Sequence, residues 1–351
     1  MEEYRVLGIM SGTSLDGVDI ACTIFGKNNS TWNFKLERGI TYPYNEEWKS
    51  ILQSVRYSTA AFELLKLDQE YGVYLGNLVN NFIKETGARP QVIASHGHTI
   101  FHQPSKGITC QIGNGNSIAA TTGLPVVCDF RSKDVALGGQ GAPLVPFGDL
   151  MLFPEYKYCL NFGGFANISI KEKDQISAFD ICPVNIILNT LVADVGMEYD
   201  KDGELGKNGK VNFELLKALN NLGYYTENGP KSLGKEWLEE NFLPILYCFN
   251  IPIEDKVRTI YSHIADQVVG VLKDDKEKIL LTGGGALNVF LVSLLKSRLN
   301  RELVVPENDM VCFKEALVFA FLGLMRFLGR NNVLSSVTGA RDNSCGGALF
   351  A

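Results

Sequence analysis

The residues best suited to chemistry fall in a few short stretches, two of them built to hold an anion. Ser11-Gly12-Thr13-Ser14-Leu15-Asp16-Gly17 lies between two apolar strand patterns, and Val18 and Asp19 follow directly. Its glycines let the backbone turn sharply and approach a ligand. Thr13 and Ser14 offer hydroxyls, and successive N–H groups in such a turn form an anion-binding nest. A polar hairpin turn uses the same residues without any ligand. Leu281-Thr282-Gly283-Gly284-Gly285-Ala286-Leu287-Asn288 follows a strand pattern and precedes a helical one. Its glycines leave the backbone bare to a flat ring or a phosphate. The plainer reading is a tight strand-to-helix connection with Asn288 as N-cap. The spacing is not that of a dinucleotide fingerprint.

Single side chains add acid, base and cation. Asp180 closes the strand pattern Ser177–Asp180 ahead of a helix expected to open at Pro183. A carboxylate there can act as a general base or bind magnesium through water, or simply cap the helix. Arg131 follows Cys128-Asp129-Phe130 at a strand end, where a guanidinium can grip a phosphate or carboxylate bidentately. A salt bridge to Asp129 or Asp134 is the ordinary alternative. Glu315 is expected in the first turn of a strongly apolar helix, where a carboxylate also complements the helix dipole. His96, His98 and His102 cluster, the first two on one side of an extended segment. No cysteine or carboxylate beside them completes a tetrahedral zinc site, so they read as hydrogen-bonding positions lining a cleft. Gly229-Pro-Lys-Ser-Leu-Gly234-Lys235 imitates a P-loop, but Glu236 stands where Ser or Thr should hold magnesium and no buried strand precedes it.

The elements that must position these groups repeat. Val6–Met10 is an apolar run, and Val18, Ile20, Cys22 and Ile24 alternate after the turn. Trp32–Thr41 reads as a third strand after a turn at Lys27–Ser30. A helical pattern over 59–85 follows, then strands at Val92–Ser95, Thr109–Ile112 and Val126–Asp129. Past the glycine-rich Leu137–Pro143 the plan restarts: Tyr158–Phe162, a Gly163-Gly164 turn, Ala166–Ile170, then Ser177–Asp180. Helical stripes run through Val257–Val271 and Phe313–Leu328, with a strand at Lys278–Thr282 between them. A repeated β-β-β-α-β-α plan predicts two similar domains facing a cleft.

Composition sets outer bounds. At 351 residues the chain is long enough for two cores. A net charge of −6 gives no long-range attraction for nucleic acid or anionic lipid, so any anion must be gripped locally. No apolar run is long enough to span a bilayer. The N-terminus has no signal-peptide character, and the eight cysteines are scattered without a C-x-x-C pair; both point to the cytoplasm.

Together the segments resemble the anhydro-N-acetylmuramic acid kinases, members of the actin-like/hexokinase-type ATPase superfamily. The resemblance rests on Gly8–Asp19, Ser95–His102, Gln111–Gly113, Val127–Arg131 and Gly138–Pro146. It continues through Asn161–Gly164, Ala166–Ser169, Tyr199–Gly203, Lys231–Gly234, Thr282–Gly285 and Lys314–Ala316. It implies an α/β fold of two ribonuclease H-like (actin/hexokinase-type) domains, 1–131 and 132–351, with mixed five-stranded sheets flanking a cleft. The last segment is expected to pack back on the first domain.

The implied activity uses ATP and Mg2+ to open 1,6-anhydro-N-acetylmuramic acid with water and phosphorylate O6. The product, N-acetylmuramic acid 6-phosphate, belongs to peptidoglycan recycling. By the same resemblance, Gly12, Thr13, Ser14, Leu15, Asp16, Gly17, Val18 and Asp19 bind the nucleotide with Gly163, Gly164, Gly283, Gly284 and Gly285. Asp180 activates the water, and His96, Arg131 and Glu315 surround the sugar. The metal ligands are not assigned, the partner is a small sugar rather than nucleic acid or membrane, and a homodimer stays open.

The sequence departs from the family pattern at Ile181 and Cys182, which replace Thr and Gly after the aspartate, at Val184, where a small residue is usual, and at His98, where Gln is common. These departures keep alternatives in play: a kinase of another sugar or small acid on the same fold, or a non-catalytic sugar sensor. The sensor reading lacks a basic recognition helix.

Overall fold

The computed structural model describes residues 2–12, 15–28, 31–55, 59–173, 175–227 and 231–351. Thr13 and Ser14, part of the Lys27–Ser30 turn, and Gly229 and Pro230 lie outside the described residues. The chain divides into two compact units, Met1–Phe153 with Phe313–Ala351, and Pro154–Cys312.

In the first unit β1 (Glu3–Ser11), β2 (Gly17–Asn28) and β3 (Thr31–Pro43) form an antiparallel meander. β4 (Val92–Ser95) pairs parallel to β1; a separate ribbon joins β5 (His98–Gln103) to β6 (Ile108–Ile112); and β7 (Val126–Cys128) pairs parallel to β4. In the second unit β8 (Tyr158–Phe162), β9 (Phe165–Glu172) and β10 (Gln175–Pro183) repeat the meander. β11 (Ile279–Thr282) lies parallel to β8, and β12 (Leu303–Val304) parallel to β11. Counted from its own first strand, each sheet reads 3-2-1-4-5, the ribonuclease H-like order. The repeat that the sequence only hinted at is thus explicit in the topology.

The first sheet departs from the expected five strands. A sixth, β13 (Ala348–Phe350), pairs antiparallel with the outer edge of β7 and covers its open hydrogen-bonding groups. The units also divide at Phe153/Pro154 rather than 131/132. The helices Ser132–Ala136 and Val145–Leu152 pack on β6 and β3, so they belong with the first sheet.

Each sheet is held by apolar side chains on both faces. Leu7, Ile9, Val18, Ile20 and Ile93 pack against Tyr71, Leu75, Val79 and Phe82 of the helix Ala61–Thr86. On the other face, Ala21 meets Phe313 and Ala316 of the helix Asn308–Phe327. That helix rides so close that a Cβ on Gly8 would sit 1.8 Å from the carbonyl oxygen of Ala316. In the second unit Leu160, Phe162, Ile168 and Leu281 meet Leu188, Ile260, Ile264 and Val268. The central strands β4 and β11 are buried along their whole lengths, as parallel strands covered on both faces must be.

Three expectations shift. The helix after Asp180 opens at Asn185, not Pro183, because Pro183 still pairs with Phe165 across β9. Asp180 therefore does not cap it. The helix carrying Glu315 begins at Asn308, which puts Glu315 in its middle turns, where the dipole reading fails. His96 and His98 do not share one extended strand. Gly97, with φ 72°, turns the chain between β4 and β5.

Candidate active site

In the first unit β1 and β2 flank the turn that the sequence marks as a candidate anion site. Gly12 leaves β1, and its carbonyl accepts from the Leu15 N–H at 3.4 Å. Leu15 takes the left-handed conformation (φ 61°), a conformation costly for a branched side chain and found where a turn is held by its surroundings. Gly17 opens β2. The Val18 side chain is fully buried in the core, leaving only its backbone near the turn. Asp16 is exposed. Asp19 accepts a hydrogen bond from Thr41 Oγ1 at 2.6 Å. Burial raises its pKa against that bond.

Arg131 lies after β7 and finds neither Asp129 nor Asp134. It donates through Nη2 and Nε to His96 Nε2, at 2.8 and 3.2 Å, and through Nη1 to the Gly141 carbonyl at 2.7 Å. Asp129 instead accepts from Ser132. Asp134, fully buried, accepts from Gly141 N–H at 2.7 Å and Thr338 Oγ1 at 2.8 Å, which fixes the Gly138–Pro146 loop against Arg131.

Because the guanidinium cannot accept, His96 Nε2 must be the unprotonated nitrogen, and Nδ1–H donates to the Gly97 carbonyl at 3.0 Å. Burial first, then the Arg131 charge, hold His96 neutral, well below the usual imidazole range. Burial also lowers Arg131 to about 10, partly countered by Glu315. Glu315 is raised by burial and by Asp19, while Lys314 and Arg131 pull it back. His96, Arg131, Glu315 and Asp19 are thus linked electrostatically in series, each to the next. Among the described residues no group of three His, Cys, Asp or Glu could hold a metal, and His102 bonds Thr109 and the Gln140 backbone.

In the second unit the glycines fall into two kinds. Gly283 (φ 82°) and Gly285 are demanded by packing, since a Cβ on either would press Phe162 at 2.7–2.8 Å. At Gly163, Gly164 and Gly284 the nearest atom to an added Cβ is 3.5–3.7 Å away. There the backbone lies bare. Gly284 and Gly285 open a short helical turn, whose first N–H groups have no partner within the turn. Thr282 Oγ1 bonds the Leu160 carbonyl across β8, tying the two glycine segments together. Asn288 caps the helix Val289–Arg298, accepting from Leu291 N–H at 2.9 Å. Bare backbone at the start of a helical turn suits a nucleotide's phosphates.

Asp180 sits inside β10, at a bulge between Asp180 and Cys182. Its Oδ2 accepts from Leu233 N–H at 2.9 Å, its N–H donates to the Lys231 carbonyl, and its carbonyl accepts from Tyr224 Oη at 2.6 Å. Burial raises its pKa, and the Leu233 bond opposes that shift. Ile181 and Cys182, the departures from the family pattern, are both buried in the core of this unit, as is Val184. They fill space behind the carboxylate.

Sequence reasoning missed the partners. Lys231 folds over the Tyr224 ring and donates to the Tyr224 and Glu227 carbonyls. The Lys231-Ser-Leu-Gly234 stretch was the one signal that this segment meets Asp180. Lys314 and Asp149 form an ion pair of 2.7 Å, each side chain 3% exposed, one residue from Glu315. Nothing in the spacing announces that pair.

Two ribonuclease H-like units, one with the Gly12–Asp19 turn and the buried Arg131–His96 pair, the other with bare glycine backbone and the buried Asp180, make up a carbohydrate kinase. A family model described as Anhydro-N-acetylmuramic acid kinase matches residues 4–351, and the chain belongs to that family. Relatives named anhydro-N-acetylmuramic acid kinase include one from Sulfurovum sp., 33% identical and covering 100% of both chains. One from Vibrio cholerae is 34% identical over 99% of each, and one from Aliivibrio fischeri is 35% identical over 100% of this chain and 99% of its own. No helix among the described residues is long and apolar enough to cross a membrane.

Proposed function

We propose that this enzyme opens 1,6-anhydro-N-acetylmuramic acid with water and passes the ATP γ-phosphoryl group to O6, giving N-acetylmuramic acid 6-phosphate for peptidoglycan recycling. The observation that carries the reading is Asp180: a carboxylate with one oxygen held by Leu233 N–H and its basicity raised by burial. Asp180 takes a proton from a water, whose oxygen bonds to the anomeric carbon. The C1–O6 bond breaks with its electron pair on O6. The freed O6 then attacks the γ-phosphorus and ADP departs.

The chain's other groups position and neutralise, which is most of what phosphoryl transfer asks. The backbone of Gly163, Gly164 and Gly283–Gly285, bare at Gly163, Gly164 and Gly284, binds the nucleotide, as does the Gly12–Asp19 turn. A magnesium ion neutralises phosphate charge when bound, and needs few protein ligands beyond phosphates and water. Arg131 meets the sugar's carboxylate or hydroxyls, backed by His96, and Glu315 takes a hydroxyl. All eight cysteines are free thiols, which supports a cytoplasmic setting. Ile181, Cys182 and Val184 point into the core, which weakens the case for another sugar as substrate. Incubation with magnesium-ATP and the anhydro sugar should yield a reducing 6-phosphosugar. Phosphorylation of an ordinary hexose in its place would overturn the reading.

A further inference from the structure

The second unit carries a fully buried histidine that the reaction does not use. His263 lies on the helix Ile253–Val271, its Nδ1 2.6 Å from Asn220 Oδ1 and its Nε2 2.9 Å from Tyr225 Oη. Asn220 closes the helix Phe213–Asn220 and donates from Nδ2 to Asp266 Oδ2 at 3.0 Å. Its Oδ1 also accepts from Gln267 Nε2 at 3.0 Å. Asp266 is ion-paired with Arg298.

The proton order is fixed from the acidic end. The Asp266 carboxylate, bridged to a guanidinium, only accepts, so Asn220 turns its NH2 toward it; the reversed amide would set oxygen against carboxylate. Asn220 Oδ1 also only accepts, so His263 carries its proton on Nδ1. Burial lowers His263 to about 3, which keeps the ring neutral, and the lone pair on Nε2 accepts from the Tyr225 hydroxyl. Among the described residues Tyr225 Oη has no other hydrogen-bond partner, so no second order competes. Tyr225 sits in the 3-10 turn Gly223–Thr226, beside Tyr224. Tyr224 faces the other way: its hydroxyl donates to the Asp180 carbonyl at 2.6 Å, and its own carbonyl accepts from Lys231 Nζ at 2.7 Å. A turn of four residues has too few internal bonds to hold itself, so its orientation depends on such anchors.

We infer that His263 and Tyr225 are positioning residues: the Asn220–His263–Tyr225 chain holds the turn Gly223–Thr226 so that Tyr224 fixes Asp180 at its bulge in β10. Its service to catalysis rests on the proposed function; the hydrogen-bond chain and its hold on Asp180 do not.

Long-range proton–nitrogen NMR on protein carrying nitrogen-15 histidine tests the chain itself. There are four histidines, and single His→Gln variants of the other three assign His263 by elimination. Nδ1–H with an unprotonated Nε2 is expected at neutral pH; Nε2–H would overturn the inference. Tyr225→Phe keeps the ring packed on His263 and Trp237 and removes only the hydroxyl. The carboxyl carbon-13 signal of Asp180, assigned with Asp180→Asn, should then move, as it should in Tyr224→Phe. An unmoved signal in Tyr225→Phe would overturn the positioning role whatever the substrate. In turnover each of these two variants should lose about tenfold in kcat, with KM values held within about twofold, as loss of one hydrogen bond implies. The double variant should lose no more than about twofold beyond the worse single one, because both act on one contact. Losses that multiply toward about a hundredfold, or a kcat retained in Tyr225→Phe, would overturn it. A wild type without turnover counts against the proposed function alone, and the two NMR results then decide this inference.

Discussion

Arg131 and His96 meet nitrogen to nitrogen: two guanidinium N–H groups, at 2.8 and 3.2 Å, converge on the single lone pair of His96 Nε2. The contact is stable only while His96 is neutral, and it leaves the guanidinium's charge unspent for a ligand. Lysine cannot reproduce the fork or reach Gly141 at the same time. Arg131→Lys is therefore expected to cost about tenfold to a hundredfold in kcat/KM with little change in nucleotide affinity, readable by steady-state kinetics and nucleotide titration.

Neutral histidines also set an acid limit on stability. His96, His98 and His263 are all held below the ordinary imidazole range by burial, His98 to about 4 and His263 to about 3. In the unfolded chain they protonate near pH 6.5, so below that pH the unfolded state binds more protons and stability falls with falling pH. Each histidine contributes on the order of 1 kcal/mol per pH unit until its folded pKa is reached. Urea melts at about pH 7.5 and about pH 5.5 should show the lower midpoint at the acidic value. An unchanged midpoint would contradict the buried neutral assignment.

Gly8 tests the packing of β1 on the helix Asn308–Phe327. A Cβ there would meet a backbone carbonyl at 1.8 Å, and that carbonyl belongs to a helix that cannot step aside alone. Gly8→Ala should destabilise the first unit by about 3 kcal/mol, seen as a lowered thermal midpoint.

The Lys314–Asp149 pair makes a second stability test. Removing one partner breaks a buried ion pair. Lys314→Met should cost about 3–5 kcal/mol, and adding Asp149→Leu should recover much of it. An additive double variant would show that the pair is not coupled.

Much of this was legible in the residues. The two meanders, the central strands and the stripe through Phe313–Leu328 follow from apolar periodicity, which depends on each segment's own side chains. Asp180 and Arg131 were legible as chemistry. Their settings were not. The bulge that keeps Asp180 inside β10 is decided by its pairing with Asn167 and Ala166 of β9. The start of the helix at Asn308, which moves Glu315 off the first turn, lies outside the apolar stripe that revealed the helix. The expected Asp partner for Arg131 failed because Asp134 is spent on Gly141 and Thr338, the latter from the far end of the chain. Such long-range partners leave no trace in local spacing.

Asp180 makes a sharper prediction. Asparagine can still accept from Leu233 N–H, so Asp180→Asn should fold and bind ATP while losing at least about a thousandfold in turnover. The wild-type rate should fall on acidification with an apparent pKa above the usual aspartate range, since burial raises that group. Retained activity in the variant would reject Asp180 as the base.

The most direct measurement runs the reaction in oxygen-18 water with magnesium-ATP and 1,6-anhydro-N-acetylmuramic acid, and reads the product by mass spectrometry. Water attack at the anomeric carbon predicts a 6-phosphosugar bearing the label on its anomeric hydroxyl and none on its phosphate. A product without sugar label, or no phosphosugar at all, would contradict the account.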